Sequence, residues 1–274
     1  MTIIKRHSFL FLALLLGVTG CRQFLFGNPV PPVRVLVFNM HAGKDANGVD
    51  NLQRIADVVK DTRADIVLLQ EVDRFTTRSG KVDQVATLRS YTGYNAAFGK
   101  TLDYQGGDYG IAVLSRWSIL GDTLFHLPVN PPQARAGGSY EPRGALRVSI
   151  AAPGGAIHVV NTHLDASRAD SFRRQEIPQV LAIAAAMKIP GALVLVGGDL
   201  NAEPPSEVLG AVRDAGWVDL WTKCGSGNDL TYPQDRPVKR IDYLLARPGV
   251  TCKRAAVLTT DASDHRPVLF EIER

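Results

Sequence analysis

Cysteine is scarce, with three residues in 274, and none of them sits in a Cys-x-x-Cys or Cys/His cluster. That excludes a thiolate zinc site and a thioredoxin-like redox motif. Charge of one sign is also in short supply. The formal net charge is +4 and no Lys/Arg run exceeds two residues, so no electrostatic nucleic-acid surface is legible. No apolar run reaches the ~20 residues of a membrane-spanning helix. Glycine (25) and proline (16) show no triplet period, which sets aside a collagen-like chain. What remains is an enzyme-sized composition: 45% hydrophobic and 21% charged residues exclude wholesale disorder.

The first residues read as an address. Lys5, Arg6 and His7 precede an apolar run, Ser8 to Val18, that is short for a membrane span and right for a secretory leader. It ends in Val18-Thr19-Gly20-Cys21, which resembles a bacterial lipoprotein cleavage box. The expected organisation is a signal peptide over 1–20, a lipidated Cys21 with a Pro/Gly-containing tether over 21–32, and one domain over 33–274. An ordinary secretion signal with a chance cysteine is the alternative. The protein is then expected outside the cytoplasm, held to a membrane by its lipid. Arg22 after the cysteine, in place of aspartate, favours the outer membrane in a Gram-negative cell. Cys224 and Cys252 are left in a disulfide-permissive compartment, either bridged or as two buried thiols.

From Val33 onward, apolar strands interleave with amphipathic helices, without repeats. The pattern predicts strands at 33–39, 65–71, 94–98, 110–115, 118–125, 192–196, 241–246, 255–259 and 268–272. It predicts helices at 49–62, 83–90, 169–187 and 206–215, and a hairpin of 144–151 with 156–162. This is a layered α/β domain.

Polar residues collect where the strands stop. Asn39 follows VRVLVF, Glu71 follows DIVLLQ, and Asn161 and His163 follow AIHVV. Asp199 and Asn201 follow ALVLVGG, Asp242 lies in RIDYLL, and Asp264-His265 precede the last strand. Strand ends on one sheet edge form the usual ligand crevice of α/β folds. Carboxylates and amide oxygens without cysteine suit Mg2+ or Mn2+ rather than structural zinc. With two histidines, the set suits metal-assisted attack of water on phosphorus.

These segments together resemble the endonuclease/exonuclease/phosphatase superfamily: FNMH (Phe38–His41), LLQEVD (Leu68–Asp73), YGIAVLSR (Tyr109–Arg116), NTHLD (Asn161–Asp165), GGDLNAEP (Gly197–Pro204), RIDYLL (Arg240–Leu245) and SDHRPV (Ser263–Val268). The resemblance implies a four-layer α/β sandwich, two mixed β-sheets face to face with helices outside. It implies that Glu71, Asn39 and Asp264 form the metal side. His265 would be the catalytic histidine, oriented by Asp242. Asp199 and Asn201 would handle the attacking water, and His163 would donate to a phosphate oxygen. Arg143 is a candidate phosphate clamp. Arg168, Arg173 and Arg174 are read as a solvated helix face, with substrate contact as the other option. Arg78 and Asp83-Gln84 resemble a pattern of one bacterial subgroup, and the Pro/Gly-rich 130–140 stretch is expected to rim the site. The implied activity is metal-dependent phosphoester hydrolysis, most of all of phosphodiesters in nucleic acid or lipid head groups, by a monomer. A non-catalytic, lipid-anchored protein that binds phosphate esters or a partner is the competing reading.

Overall fold

The computed structural model describes residues 30–134, 140–187, 189 and 191–274. The expected signal peptide, Cys21 and most of the tether lie outside the described residues. In chain order the elements are β1 (Val33–Asn39), α1 (Leu52–Thr62), β2 (Ile66–Arg74), α2 (Gln84–Thr92), β3 (Asn95–Tyr104), β4 (Gly107–Ser115), β5 (Ile119–His126), β6 (Gly144–Ala152) and β7 (Gly155–His163). They continue as α3 (Arg173–Ala185), β8 (Leu193–Asp199), α4 (Glu207–Asp214), β9 (Val218–Asp219), α5 (Trp221–Cys224), β10 (Asp242–Ala246), β11 (Cys252–Val257) and β12 (Val268–Ile272).

Two six-stranded sheets result, ordered β11-β12-β1-β2-β4-β3 and β5-β6-β7-β8-β10-β9. Both are mixed. Each centres on one parallel pair, β1/β2 or β7/β8, and is antiparallel elsewhere. The strands read as continuous apolar runs because both faces are covered. On β1, Val33, Val35 and Val37 point into the core between the sheets, while Leu36 and Phe38 point outward against α1 and α2. On the other sheet, Val196, Val160 and Leu245 meet Ile177, Val180 and Val208 of α3 and α4. The architecture is the expected four-layer sandwich.

Several boundaries differ from the expectation for local reasons. Helix α1 starts at Leu52 rather than Val49 because the Asp45 side chain holds the Asn47 and Val49 amides in a turn. Strands β3 and β4 run on into a hairpin turned by Gln105 and Gly106, both with positive φ. Helix α3 starts at Arg173 rather than Ala169, since the Arg173 guanidinium is spent on the carbonyls of Asp165 and Ser167.

Two features lock the sheets together. Gln70 donates to Asn161 Oδ1 at 2.7 Å, and Asn161 Nδ2 donates to the carbonyls of Leu69 and Ala112. Asn161, counted among the strand-end residues, is therefore a buried staple between sheets and not a cavity residue. Cys224 and Cys252 form a disulfide that ties α5, beyond the edge of one sheet, to β11, the edge of the other.

Candidate active site

Strands β1, β2, β7 and β8 end on one edge of the sandwich, and β10 and β12 begin there. Asp242 pairs directly across from Asp199, and Asp199 across from His163. The approach of strands at this point depends on glycine. Gly198 has φ +138°, and a Cβ there would lie 1.9 Å from the Thr162 carbonyl oxygen, so no other residue fits before Asp199. On the opposite sheet, Glu71 sits in a β-bulge where the β2/β4 register shifts between Leu69 and Val72. Its φ of +55° is left-handed, a conformation that β-bulges impose and that re-aims a side chain. Glu71 thereby lines the cavity from within a strand whose neighbours are core.

The cavity holds about 750 Å3 and is lined by Glu71 and Asp264 from one sheet and His163, Asp199 and Asn201 from the other, with His265 between. His265 Nδ1 lies 3.0 Å from Asp242 Oδ2, and its Nε2 lies 3.7 Å from Asp199 Oδ2. Burial pulls this imidazole down, but Asp242 in contact, with Asp199 and Asp264 behind it, overcomes burial and raises it to about 10. The ring is a cation at neutral pH. His163 behaves in the opposite way. Burial, then Arg143 and His265, hold it well below the usual histidine range. Arg143 Nη1 stands 3.2 Å from His163 Nδ1, and a guanidinium can only donate. Asn201 Nδ2, 3.0 Å from Nε2, can also only donate, so both ring nitrogens face donors and the neutral ring, with one lone pair, accepts from one of them; Nε2 lies 3.6 Å from Asp199 Oδ2.

Asp199 thus stands between one neutral and one charged imidazole. Burial and the neighbouring Asp242 carboxylate push it up to about 7, against His265 and the Asn201 amide N–H. Asn201 adopts φ +48° to place that amide on Asp199 Oδ1. Asn39 Nδ2 donates at 3.1 Å to both Glu71 Oε1 and Asp199 Oδ2, while its Oδ1 accepts the His41 amide. Asn39 therefore bridges Glu71 on one sheet to Asp199 on the other.

Of the expected site residues, the structure brings together His163, Asp199, Asn201, Asp242, His265, Asn39, Glu71 and Asp264. Arg143 departs from expectation. It is 2% exposed and lies behind His163, with Glu141 at 3.2 Å, and is not among the residues lining the cavity. The three arginines after NTHLD also separate. Arg168 and Arg173 both line the cavity, Arg174 pairs with Glu207 on the surface, and Arg173 is buried, braced on the Asp165 carbonyl rather than on a solvated face. Arg78 grips buried Asp73 with two hydrogen bonds and rests on the rings of Tyr104 and Tyr109. Asp83 caps α2 and Gln84 accepts the Asp73 amide, so that segment braces the rim loop. Residues 135–139 of the expected rim lie outside the described residues.

Sequence reasoning gave no role to Ser263 or Tyr232. Ser263 Oγ donates to the Asn39 carbonyl at 2.7 Å and accepts the His265 amide, fixing the catalytic turn to the end of β1. Its place one residue before Asp264-His265 was the available signal. Tyr232 packs its ring 4.7 Å from that of His265. Burial raises its phenol, and Asp264, Glu71 and Asp199 raise it further, which shows those three carboxylates converging on one point. Nothing in the flanking sequence marks it.

The donor set fits a hard divalent cation. Glu71 and Asp264 present carboxylates to the cavity, without a thiol nearby. Asp199, Asp242 and His265 also have donor atoms within 4.8 Å of one another. His265 and Asp242 are committed to each other, however, and a cationic imidazole has no lone pair to give.

A family model described as the Endonuclease/Exonuclease/phosphatase family matches residues 36–265. An uncharacterised protein of Escherichia coli K12, YbhP, is 30% identical over 261 residues, covering 87% of this chain and 95% of its own. Among solved structures, the mannosyl-6-phosphatase Bt3783 of Bacteroides thetaiotaomicron aligns with a TM-score of 0.73 at 18% identity over 88% of this chain and all of its own. An endonuclease/exonuclease/phosphatase protein of Bacteroides vulgatus aligns at 0.72 and 22% identity, over 88% and 98%. With the match spanning β1 to the His265 turn, the chain belongs to the endonuclease/exonuclease/phosphatase family, a family of metal-dependent phosphoester hydrolases.

Proposed function

We propose that this protein is a Mg2+- or Mn2+-dependent phosphodiester hydrolase that works outside the cytoplasm, tethered through Cys21. The observation that carries the chemistry is Asp199 held within 3.6 and 3.7 Å of two imidazoles of opposite charge state, facing Glu71 and Asp264. A cation bound by Glu71 and Asp264 would neutralise the phosphate and the departing oxygen. Asp199 takes a proton from water as the water oxygen bonds to phosphorus, and the ester P–O bond breaks. Asn201 holds that water, and His163 donates its ring N–H to a non-bridging oxygen as charge builds there. His265, fixed by Asp242, supplies a positive charge beside the phosphate. The disulfide supports an oxidising compartment, as does the leader. The binding-only reading has less support, because such proteins shed a carboxylate or a histidine and none is missing here.

The test uses residues 22–274, which hold every described element. After EDTA treatment and return of magnesium or manganese, bis-p-nitrophenyl phosphate, p-nitrophenyl phosphate, plasmid DNA and phospholipid vesicles are compared. Metal-restored cleavage that prefers a diester is expected. Metal-independent turnover, or none with a folded protein, overturns the proposal.

A further inference from the structure

The chain enters the sandwich at the start of β1, and the catalytic groups stand at its other end. Seven residues of strand separate them, roughly 20 Å at the usual rise. The pole where the chain enters carries its own surface feature. A groove of about 410 Å3 runs beside Val30 and is lined by Arg34, Arg63, Arg116, Arg274, Trp117 and Asp65. It is assembled from separate segments: the approach to β1, the α1–β2 turn, the end of β4 and the residue after β12.

The charges in it are not balanced. Arg116 pairs with Asp65 at 3.1 Å and Arg34 with Glu271 at 3.2 Å. Arg63 makes no ion pair among the described residues and is exposed at the left-handed C-cap of α1. Arg274 rests on the carbonyls of Pro153 and Gly155 and reaches no side-chain carboxylate among the described residues. Four guanidinium groups thus face two carboxylates, and a main-chain carboxylate on Arg274 still leaves positive charge in excess. Apolar side chains are interleaved with this charge. Trp117 packs against the inter-sheet core, and its ring nitrogen has no hydrogen-bond partner among the described residues. Leu120, three residues on, is 64% exposed, and Val30 is also exposed.

We infer that this pole is a docking surface for an anionic lipid bilayer. Guanidinium groups, an indole with a free N–H and exposed aliphatic tips are the side chains that suit the headgroup region. A purely electrostatic anion site would have no use for Leu120 and Val30. The position argues for the same occupant, because residues 1–29, whose apolar leader and Cys21 read as a membrane address, join the fold here. Docked on this pole, the protein turns its catalytic cavity away from the bilayer. Its substrate then arrives from the aqueous side, which favours soluble phosphodiesters over the head groups of the anchoring leaflet.

The test needs no lipidation and no turnover. Residues 22–274 are mixed with phosphatidylglycerol/phosphatidylcholine vesicles and with phosphatidylcholine alone, at low and at physiological salt. Expected are binding to the anionic vesicles only, weakening with salt, and a blue shift in tryptophan fluorescence that Trp117→Phe removes. The double variant Arg63→Glu/Arg274→Glu should bind at least about tenfold more weakly. Its circular dichroism and melting should match the parent's, which reports that it is folded. Arg168→Glu/Lys239→Glu, at the other pole, should bind vesicles normally. Equal binding to neutral vesicles overturns the inference, as does undiminished binding by the first double variant. So does binding of plasmid DNA through the same arginines, which would make the groove a general anion site.

Discussion

At the residue scale the site turns on two histidines kept in different protonation states. His265 is raised by Asp242, and His163 is lowered by burial and by Arg143. In 15N-histidine spectra of the metal-free protein near neutral pH, one ring should be cationic and a second should stay neutral well below the usual histidine range. Arg143→Met should bring that second ring closer to the usual range, and two titrating rings with ordinary histidine values would refute the assignment. Asp199→Asn and His265→Ala should each lower kcat by about a thousandfold or more with circular dichroism unchanged. Near-parent turnover in either sinks the roles given above. These residues were legible because each stands at one end of an apolar strand: Asp199 and His163 where strands stop, Asp242 and His265 where they start. Arg143, Arg173 and Asn161 were misread for one reason: sequence places a residue near an edge, but bulges and helix starts decide where its side chain goes. The shift at Leu69/Val72 opens two carbonyls to Asn161, and no local pattern announces a bulge.

At the scale of elements, the four layers were readable from alternation, since β1 divides its valines and its Leu/Phe between two cores. The short β9 and α5 were not, being too brief to carry a period. One element junction has a cost that pH exposes. Glu176, in the first turn of α3, accepts the Asp165 amide on Oε2, while its buried Oε1 has no partner among the described residues. Burial pushes this carboxyl up to about 7, against the Asp165 amide and Arg143. The folded form therefore holds a proton that the unfolded chain releases near 4.5. The contribution to stability is complete below that value and is lost as pH rises through about 7. Glu176→Gln, which stays neutral, should raise stability by about 2 kcal/mol near pH 8 and flatten its fall between about pH 5 and 7. Unfolding by urea at several pH values measures this, and an unchanged slope would show that Glu176 is ionised throughout.

At the scale of the molecule, the two sheets repeat one plan. A helix-linked parallel pair is flanked by antiparallel strands, and each pair delivers polar residues to the same edge. The active site is shared across the seam: Asn39, Glu71 and Asp264 come from one sheet, Asp199, Asn201 and His163 from the other. His265 stands before a strand of the first sheet and bonds Asp242 on the second. A disulfide with partners 28 residues apart, spanning that seam, contributes about 3 kcal/mol in the chain-entropy account. The double serine variant of Cys224 and Cys252 should accordingly melt roughly 6–12 °C lower by calorimetry. A shift under about one degree would mean that the packed core holds the sheets together unaided.

The place of that bridge has a consequence for when the protein becomes competent. Strand pairing and both helix layers need only non-covalent forces, so they can be completed wherever the chain is made. Of the ties between the halves, the Gln70–Asn161, Asn39–Asp199 and His265–Asp242 hydrogen bonds form with the core, and the Cys224–Cys252 bridge needs an oxidant. A chain held among reduced thiols would have finished sheets and a formed site, and would lack only the covalent tie at one rim. Arrival in an oxidising space would then harden a site that is already assembled.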